Sequence, residues 1–162
     1  MNYVLLVEEK SMKIFLETFL PFKFPECKFR VISHEGKVDL KQSLVREMKV
    51  LNWNTPMFIV LIDKDANDCR VLKTEIDNLC CATETNYKIR IVCHELESWY
   101  LGDLAAVDIA FSTKLSKHSN KKTFREPDDL PNAKEILKEH IGQIGQNQNS
   151  GKNGRGYEKY RT

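Results

Sequence analysis

The sequence has no run of apolar residues close to the roughly 18 that a membrane-spanning helix needs. Its first ten residues place two acids directly after a short apolar stretch, which is unlike a secretory signal. The five cysteines are odd in number, include one adjacent pair and form no C-x-x-C motif, so they indicate neither a disulfide framework nor a zinc knuckle. These absences predict a soluble, cytoplasmic protein with reduced thiols.

Glycine is scarce before residue 142 and concentrated after it. Only Gly36 and Gly102 precede that point, whereas the other five of the seven glycines lie in GQIGQNQNSGKNGRGYEKYRT. This segment is also rich in Asn and Gln, and it has no apolar period before its two tyrosines. We therefore predict one domain at residues 1–141, followed by a flexible, basic Gly/Asn-rich tail at residues 142–162.

One segment in the second half of the chain contains basic residues and no acidic residue. The net charge is only +2, but residues 1–111 carry 14 Lys and Arg against 17 Asp and Glu, whereas residues 112–162 carry 11 against 6. The segment STKLSKHSNKKTFR contains five basic residues and no acid, which favours a polyanionic partner such as DNA or RNA. The candidate nucleic-acid-binding residues are Lys114, Lys117, Lys121, Lys122 and Arg125.

What the sequence does contain is a regular alternation of strand and helix patterns. Four short apolar runs predict strands, at Tyr3–Glu8, Cys27–Ser33, Met57–Ile62 and Tyr87–Cys93. Helical spacing follows each run, with predicted buried stripes at Ile14, Phe15, Thr18 and Phe19, at Leu40, Leu44, Met48 and Leu51, and at Leu72, Ile76 and Leu79. Trp53 and Trp99 are expected to pack in the core. Four successive βα units predict a doubly wound α/β fold whose four-stranded sheet is mostly parallel and carries helices on both faces.

Acidic residues follow three of the four predicted strands. Strand one leads into Glu8 and Glu9, and strand four leads into Glu95 and Glu97. Strand three leads into three acids, Asp63, Asp65 and Asp68. Since open parallel sheets bind ligands at the carboxyl ends of their strands, these acids are expected to form one pocket.

Crowded carboxylates repel one another unless a cation neutralises them, and their hard oxygen ligands suit Mg²⁺. Asp63 and Asp65 are two residues apart after a strand, so both side chains can face the pocket. Asp68 and Glu95 each have an alternative role as the cap of the following helix. Glu95 and Glu97 point in roughly opposite directions on a helix, so one of them is expected to face the metal, and Glu95 is nearer the strand.

These residues resemble a known family. The segments VEEKSM, VLIDKDANDC and HELESWYLGDL resemble the DUF4276 family, and a strand ending in Glu followed by a strand ending in D-x-D resembles the Toprim domain of topoisomerases, bacterial primases and overcoming-lysogenization-defect nucleases. The resemblance covers residues 3–135 and implies a three-layer Toprim-like or Rossmann-like fold. It implies a catalytic or metal-binding role for Glu8, magnesium ligands at Asp63 and Asp65, and a further carboxylate from Glu95 or Glu97.

Two positions depart from the Toprim pattern. Glu9 stands where that pattern has glycine, so either Glu8 or Glu9 can enter the site. Nuclease relatives carry a lysine near the metal late in the domain, where this chain offers only Lys152 or Lys159.

The resemblance implies hydrolysis of phosphodiester bonds in DNA or RNA, dependent on Mg²⁺ or Mn²⁺. The candidate catalytic residues are Glu8, Glu9, Asp63 and Asp65. The setting it implies is an antiviral or mobile-element system beside an ATPase. The alternative is a catalytically inactive Toprim-like module that docks to a partner protein.

Overall fold

The structure, a computed structural model, describes residues 2–93, 96–130 and 132–148. The described strands are β1 (Asn2–Val7), β2 (Lys28–Ser33), β3 (Met57–Asp63) and β4 (Tyr87–Val92). The described α-helices are α1 (Lys10–Lys23), α2 (Lys37–Leu51), α3 (Cys69–Cys81), α4 (Leu96–Leu101), α5 (Leu104–Phe111), α6 (Lys122–Arg125) and α7 (Ala133–Gln148). Short 3₁₀ helices lie at Asn52–Asn54, Leu115–His118 and Pro127–Asp129.

The four strands form one parallel sheet in the order β2-β1-β3-β4. The chain moves from β1 to β2 in one direction across the sheet and from β2 to β3 in the other. Because parallel crossovers are right-handed, this reversal puts α1 on one face of the sheet and α2 and α3 on the other. The predicted three-layer α/β fold is confirmed, and its sheet is wholly parallel.

The main core lies between the sheet and the α2–α3 layer. Val4, Leu6, Phe58, Val60 and Ile62 alternate along β1 and β3 towards this face. They pack with residues of the two helices: Leu40, Leu44, Met48, Leu72, Ile76 and Cys80. The helical stripes predicted for α2 and α3 are therefore confirmed.

The buried stripe predicted for α1 is wrong. Ile14 is 58% exposed and Phe19 is 41% exposed, whereas Met12 and Leu16 are buried. Apolar residues occupy several faces of this helix, so their spacing alone did not determine which face packs on the sheet. Packing against the sheet buries Met12 and Leu16, which are four residues apart and therefore lie on the same side of the helix.

The two tryptophans are also more accessible than expected. Trp53 is 80% exposed on the 3₁₀ turn after α2, and Trp99 on α4 is exposed as well. A short helix or turn buries only the residues on its packed side, so Trp53 is left largely in solvent and Trp99, at 38% exposed, is covered in part.

The chain divides into two compact units, Met1–Leu96 and Glu97–Thr162. The first contains the sheet. The second has its own small core, formed by Leu101, Leu104, Val107, Leu115, Ala133 and Leu137. The predicted single domain at 1–141 includes both units and stays a prediction.

The last described helix, α7, extends through the predicted boundary at 141/142 to Gln148. The rest of the predicted tail, residues 149–162, lies outside the described residues. Among the helices within the described ranges, none combines the length and apolar character that crossing a membrane would require.

Candidate functional site

The carboxyl ends of β1 and β3 lie side by side in the sheet, where Val7 pairs with Leu61. Glu8 follows β1 directly, and Asp63 is the last residue of β3. The crossovers after these two strands leave in opposite directions, to β2 and to β4, which opens a crevice between them. The structure thus brings Glu8 and Asp63 together at the switch point of the sheet.

Glu8 is buried, with 9% of its surface exposed. Its Oε2 accepts a hydrogen bond of 3.1 Å from the backbone N–H of Asp63. Burial raises the pKa of Glu8, while this hydrogen bond and the charge of Lys37 act in the opposite direction. The side chain of Glu8 therefore spans the two strand ends as a fixed acceptor.

Asp63 is the most strongly perturbed acid of the site. Burial, and after it the charges of Glu8, Glu9 and Asp65, raises the pKa of Asp63 to about 7, and Lys37 opposes this rise. An aspartic acid with that pKa is close to half protonated at neutral pH. Such a shift is typical of sites where like charges are gathered to bind a cation or to transfer a proton.

Asp65 lies on the exposed turn after β3 and has a left-handed backbone conformation, with φ of 48°. Aspartate tolerates that conformation better than most residues do, because its short side chain can satisfy local backbone groups. Its Oδ2 lies 2.6 Å from Nζ of Lys37, whose side chain is only 16% exposed. Asp65, one acid of the predicted pocket, therefore forms an ion pair with the mostly buried side chain of Lys37.

Lys37 is a residue of the candidate site that the sequence analysis did not identify. It is the first residue of α2 and follows Gly36, whose φ of 93° is open to glycine but rarely to other residues. The Gly36 N–H donates to the backbone carbonyl of Glu8 at 3.1 Å, which fixes the start of α2 beside the end of β1. The signal in the sequence was the Glu-Gly-Lys turn directly after β2, because β2 is parallel and adjacent to β1.

Glu8, rather than Glu9, has the buried carboxylate. Glu9 is exposed at the N-terminus of α1 and accepts a hydrogen bond of 3.2 Å from the Ser11 hydroxyl. Its charge nevertheless raises the pKa of both Glu8 and Asp63. Of the two glutamates, Glu8 is therefore the one whose side chain contacts the end of a neighbouring strand. Glu9 acts on the site through its negative charge, from an exposed position beside it.

A buried histidine supports the same strand ends. His34 Nδ1 lies 2.9 Å from the carbonyl oxygen of Val7, and because a carbonyl only accepts, Nδ1 carries the hydrogen. Its Nε2 lies 3.1 Å from Oε2 of Glu47 on α2. The imidazole thus connects the last residue of β1 to α2, immediately before Glu8.

The remaining acids of the predicted pocket have different positions. Asp68 caps α3 by accepting from the N–H groups of Arg70 and Val71, so its predicted alternative role as a cap is confirmed. Glu95 lies outside the described residues. Glu97 belongs to the second unit, where its charge adds to burial in raising the pKa of Tyr100.

The basic segment also belongs to the second unit. Lys114, Lys117, Lys121 and Arg125 are exposed, whereas Leu115 of the same segment is buried. The side chain of Lys122 lies outside the described residues. Asp108 holds the start of the segment by accepting from the backbone N–H groups of Leu115 and Ser116. Hydrogen bonds from the hydroxyls of Ser116 and Thr113 lower the pKa of Asp108 to about 2. An ionised carboxylate therefore fixes the beginning of this cationic surface.

A divalent cation fits the chemistry of the donors at the switch point. Within residues 2–93, 96–130 and 132–148, no group of three or more His, Cys, Asp or Glu residues is arranged to hold a metal ion. Magnesium, however, is commonly bound by one or two carboxylates with water and substrate phosphate completing its coordination. Glu8 and Asp63 supply two such carboxylates, and burial, followed by the charges of neighbouring acids, raises the pKa of each.

Comparison with known protein families identifies the family of this chain. The family model described as "Domain of unknown function (DUF4276)" matches residues 7–162. No curated protein and no solved structure matches the chain significantly.

Proposed function

The chain belongs to the DUF4276 family, and from the site described above we propose that it hydrolyses phosphodiester bonds of DNA or RNA with Mg²⁺ or Mn²⁺. The observation that supports this proposal is the position of two carboxylates at the switch point of the sheet, where Glu8 accepts a hydrogen bond of 3.1 Å from the Asp63 N–H. Burial and three neighbouring acids raise the pKa of Asp63 there to about 7. The proposed metal ligands are Glu8, Asp63 and Asp65, with Glu95 or Glu97 as a further carboxylate. A metal held by these residues would supply Lewis-acid chemistry at a phosphodiester: it would lower the pKa of a water and offset the charge that develops on the leaving oxygen.

Three residues of the site have different roles in the proposed reaction. Asp63 has a pKa near neutral pH, which suits a group that accepts a proton from an attacking water. Glu8 fixes the backbone at Asp63 through its hydrogen bond to that N–H. Lys37 brings a positive charge beside these acids through its contact with Asp65, and an ammonium group of this kind can also pair with a phosphate oxygen.

We place the DNA or RNA partly on the basic segment, because an acidic pocket alone repels a polyanion. A partner ATPase, an antiviral setting and a cytoplasmic location belong to the same proposal. They rest on the resemblance of the sequence to Toprim nucleases.

A second candidate is a catalytically inactive module that docks to a partner protein. The contact of 2.6 Å between Lys37 and Asp65 favours it, because an internal ammonium group already neutralises one carboxylate of the site. Such a module would bind no catalytic metal.

The direct test is incubation of the purified chain with end-labelled single-stranded and duplex DNA and RNA. We expect cleavage of at least one substrate in Mg²⁺ or Mn²⁺ and none in EDTA, measured on a denaturing gel. Full cleavage in EDTA would contradict a metal-dependent reaction. Absence of cleavage of all four substrates in both metals would favour the docking module.

The basic segment makes a separate prediction. Replacing Lys121, Lys122 and Arg125 together by Gln should weaken binding to every sequence about equally. It should also lower the slope of log affinity against log salt by roughly 0.7 to 0.9 for each phosphate that the protein no longer neutralises. Fluorescence anisotropy at several salt concentrations measures both quantities. The matched control replaces the exposed Lys23, Arg70 and Lys73 of the first unit by Gln, and an equal reduction of slope in that control would remove any special role for the segment.

A further inference from the structure

A cavity lies at the opposite edge of the sheet from the acidic site. It has a volume of about 190 Å³, and its lining includes residues at the amino ends of β1 and β2 and in the turn before β3. β1 has six residues, so the two edges are about 20 Å apart at roughly 3.3 Å per residue. The cavity therefore does not belong to the carboxylate site.

Cations and apolar side chains line this cavity together. Lys28 and Arg30 are two residues apart on β2, so they lie on the same face of this edge strand, and both are exposed. Val4, Leu51 and Pro56 contribute apolar lining. None of the described residues that line the cavity is acidic, which makes it complementary to an anionic ligand with an apolar part.

Trp53 adds a flat aromatic surface at the same cavity and is 80% exposed. A tryptophan in this state leaves a large apolar area in water, which is unfavourable for the isolated chain. Exposed aromatic residues beside cations are the usual platform on which unpaired bases stack.

The turn that carries Trp53 is conformationally strained. Thr55 has a φ of 42°, although a β-branched residue rarely adopts the left-handed region. It also precedes Pro56, and proline favours an extended conformation in the residue before it. Strain of this kind is concentrated where a loop must hold one geometry to contact a ligand.

We propose that this cavity binds one unstacked base of single-stranded nucleic acid, with Trp53 stacking on the base and Lys28 and Arg30 pairing with the flanking phosphates. The assignment rests on the proposed function for the choice of nucleic acid as ligand. A volume near 190 Å³ accommodates a single planar base rather than a stacked pair. A base inside a duplex is already stacked and is not accessible to this site.

The experiment measures affinity for fluorescein-labelled dT12 by anisotropy, in EDTA so that no cleavage intervenes. Trp53→Ala should lower the affinity roughly 5- to 160-fold, the range that removal of one base–aromatic stack produces. Trp53→Phe should recover most of it, because phenylalanine keeps a stacking face. The matched control is Phe22→Ala, which removes an aromatic side chain that is 84% exposed on α1 and should leave the affinity unchanged.

A second variant tests how much the two cations contribute to binding, separately from base stacking. Replacing Lys28 and Arg30 by Gln should lower the slope of log affinity against log salt by about 0.7 for each phosphate that is no longer neutralised, whereas Arg70 and Lys73 replaced by Gln should not. In a Trp99→Phe background Trp53 is the only tryptophan. Its fluorescence should be quenched by dT12 and by oligouridylate but not by a blunt duplex.

These results distinguish this assignment from the proposed function. Equal affinity of the wild type and Trp53→Ala for dT12, or equal quenching by the duplex, would overturn the base-binding site even in a chain that cleaves nucleic acid. Trp53-dependent binding in a chain that never cleaves would support the site while contradicting the nuclease.

Discussion

Replacing Asp63 by Asn is expected to lower the rate of metal-dependent cleavage by roughly 10²- to 10⁴-fold, the range that a positioned general acid or base contributes. Asparagine has nearly the same shape, and the variant keeps the backbone N–H that donates to Glu8 at 3.1 Å. The amide cannot accept the proton of a water at neutral pH, and it removes a negative charge that a cation would neutralise. Initial rates at saturating substrate and Mg²⁺ measure the effect.

The matched control is Asp68→Asn, the same chemical change five residues later. Asp68 accepts from the N–H groups of Arg70 and Val71, and Asn caps a helix about as well as Asp does. The control should retain nearly all activity. Equal activity of Asp63→Asn and the wild type would mean that the acids at the switch point take no part in the reaction, and it would leave the docking module as the better function.

The stability of the metal-free chain is expected to fall as pH rises from about 4 to about 7, and Asp63→Asn should remove most of this fall. The pKa of Asp63 is about 7 in the folded chain against an ordinary value of 3.8. Between these values the folded state binds more protons than the unfolded state, so raising the pH removes stability until the folded pKa is passed. The free energy of unfolding should change by roughly 2 kcal/mol, allowing for the partial exposure of the carboxylate.

Magnesium should reverse this decrease at pH 8. A ligand that binds only the folded state stabilises it by about 2.7 kcal/mol at 100 times its dissociation constant. Thermal or urea unfolding at pH 5 and pH 8, with and without Mg²⁺, measures both effects. A wild-type chain whose stability is flat between pH 4 and 7, or an identical magnesium response in wild type and Asp63→Asn, would contradict a crowded, cation-binding site.

The position of Glu8 and Asp63 at the same edge of the sheet could be predicted because it requires only that their strands be parallel. Each residue follows an apolar run of about six residues, and parallel strands place all such ends at one edge. The capping role of Asp68 had the same local basis, since a carboxylate before a helix accepts from its first N–H groups. The role of Lys37 could not be predicted in this way, because it lies 28 residues from Asp65 and meets it only through the crossover from β2 to β3.

Sequence periodicity and composition did not predict which apolar residues are exposed on α1 and in the turn that contains Trp53. On α1 the apolar residues cover more than one face, and only contact with the sheet decides that Met12 and Leu16 are buried while Ile14 is not. For Trp53 the sequence predicted packing because tryptophan is usually buried. The strained turn through Thr55 instead leaves the indole ring at the surface, beside the cations of β2.

The sequence by itself determined the four βα units, the mostly parallel sheet and the edge at which Glu8 and Asp63 lie, because these follow from local periodicity and from the handedness of crossovers. The tertiary structure decided which glutamate is buried, which cation faces Asp65 and how far the pKa of Asp63 rises. The physical reason is the distance along the chain over which each interaction acts. Hydrogen bonding and apolar spacing act over a few residues of chain, whereas burial and Coulomb interactions depend on residues that only the folded sheet brings into contact.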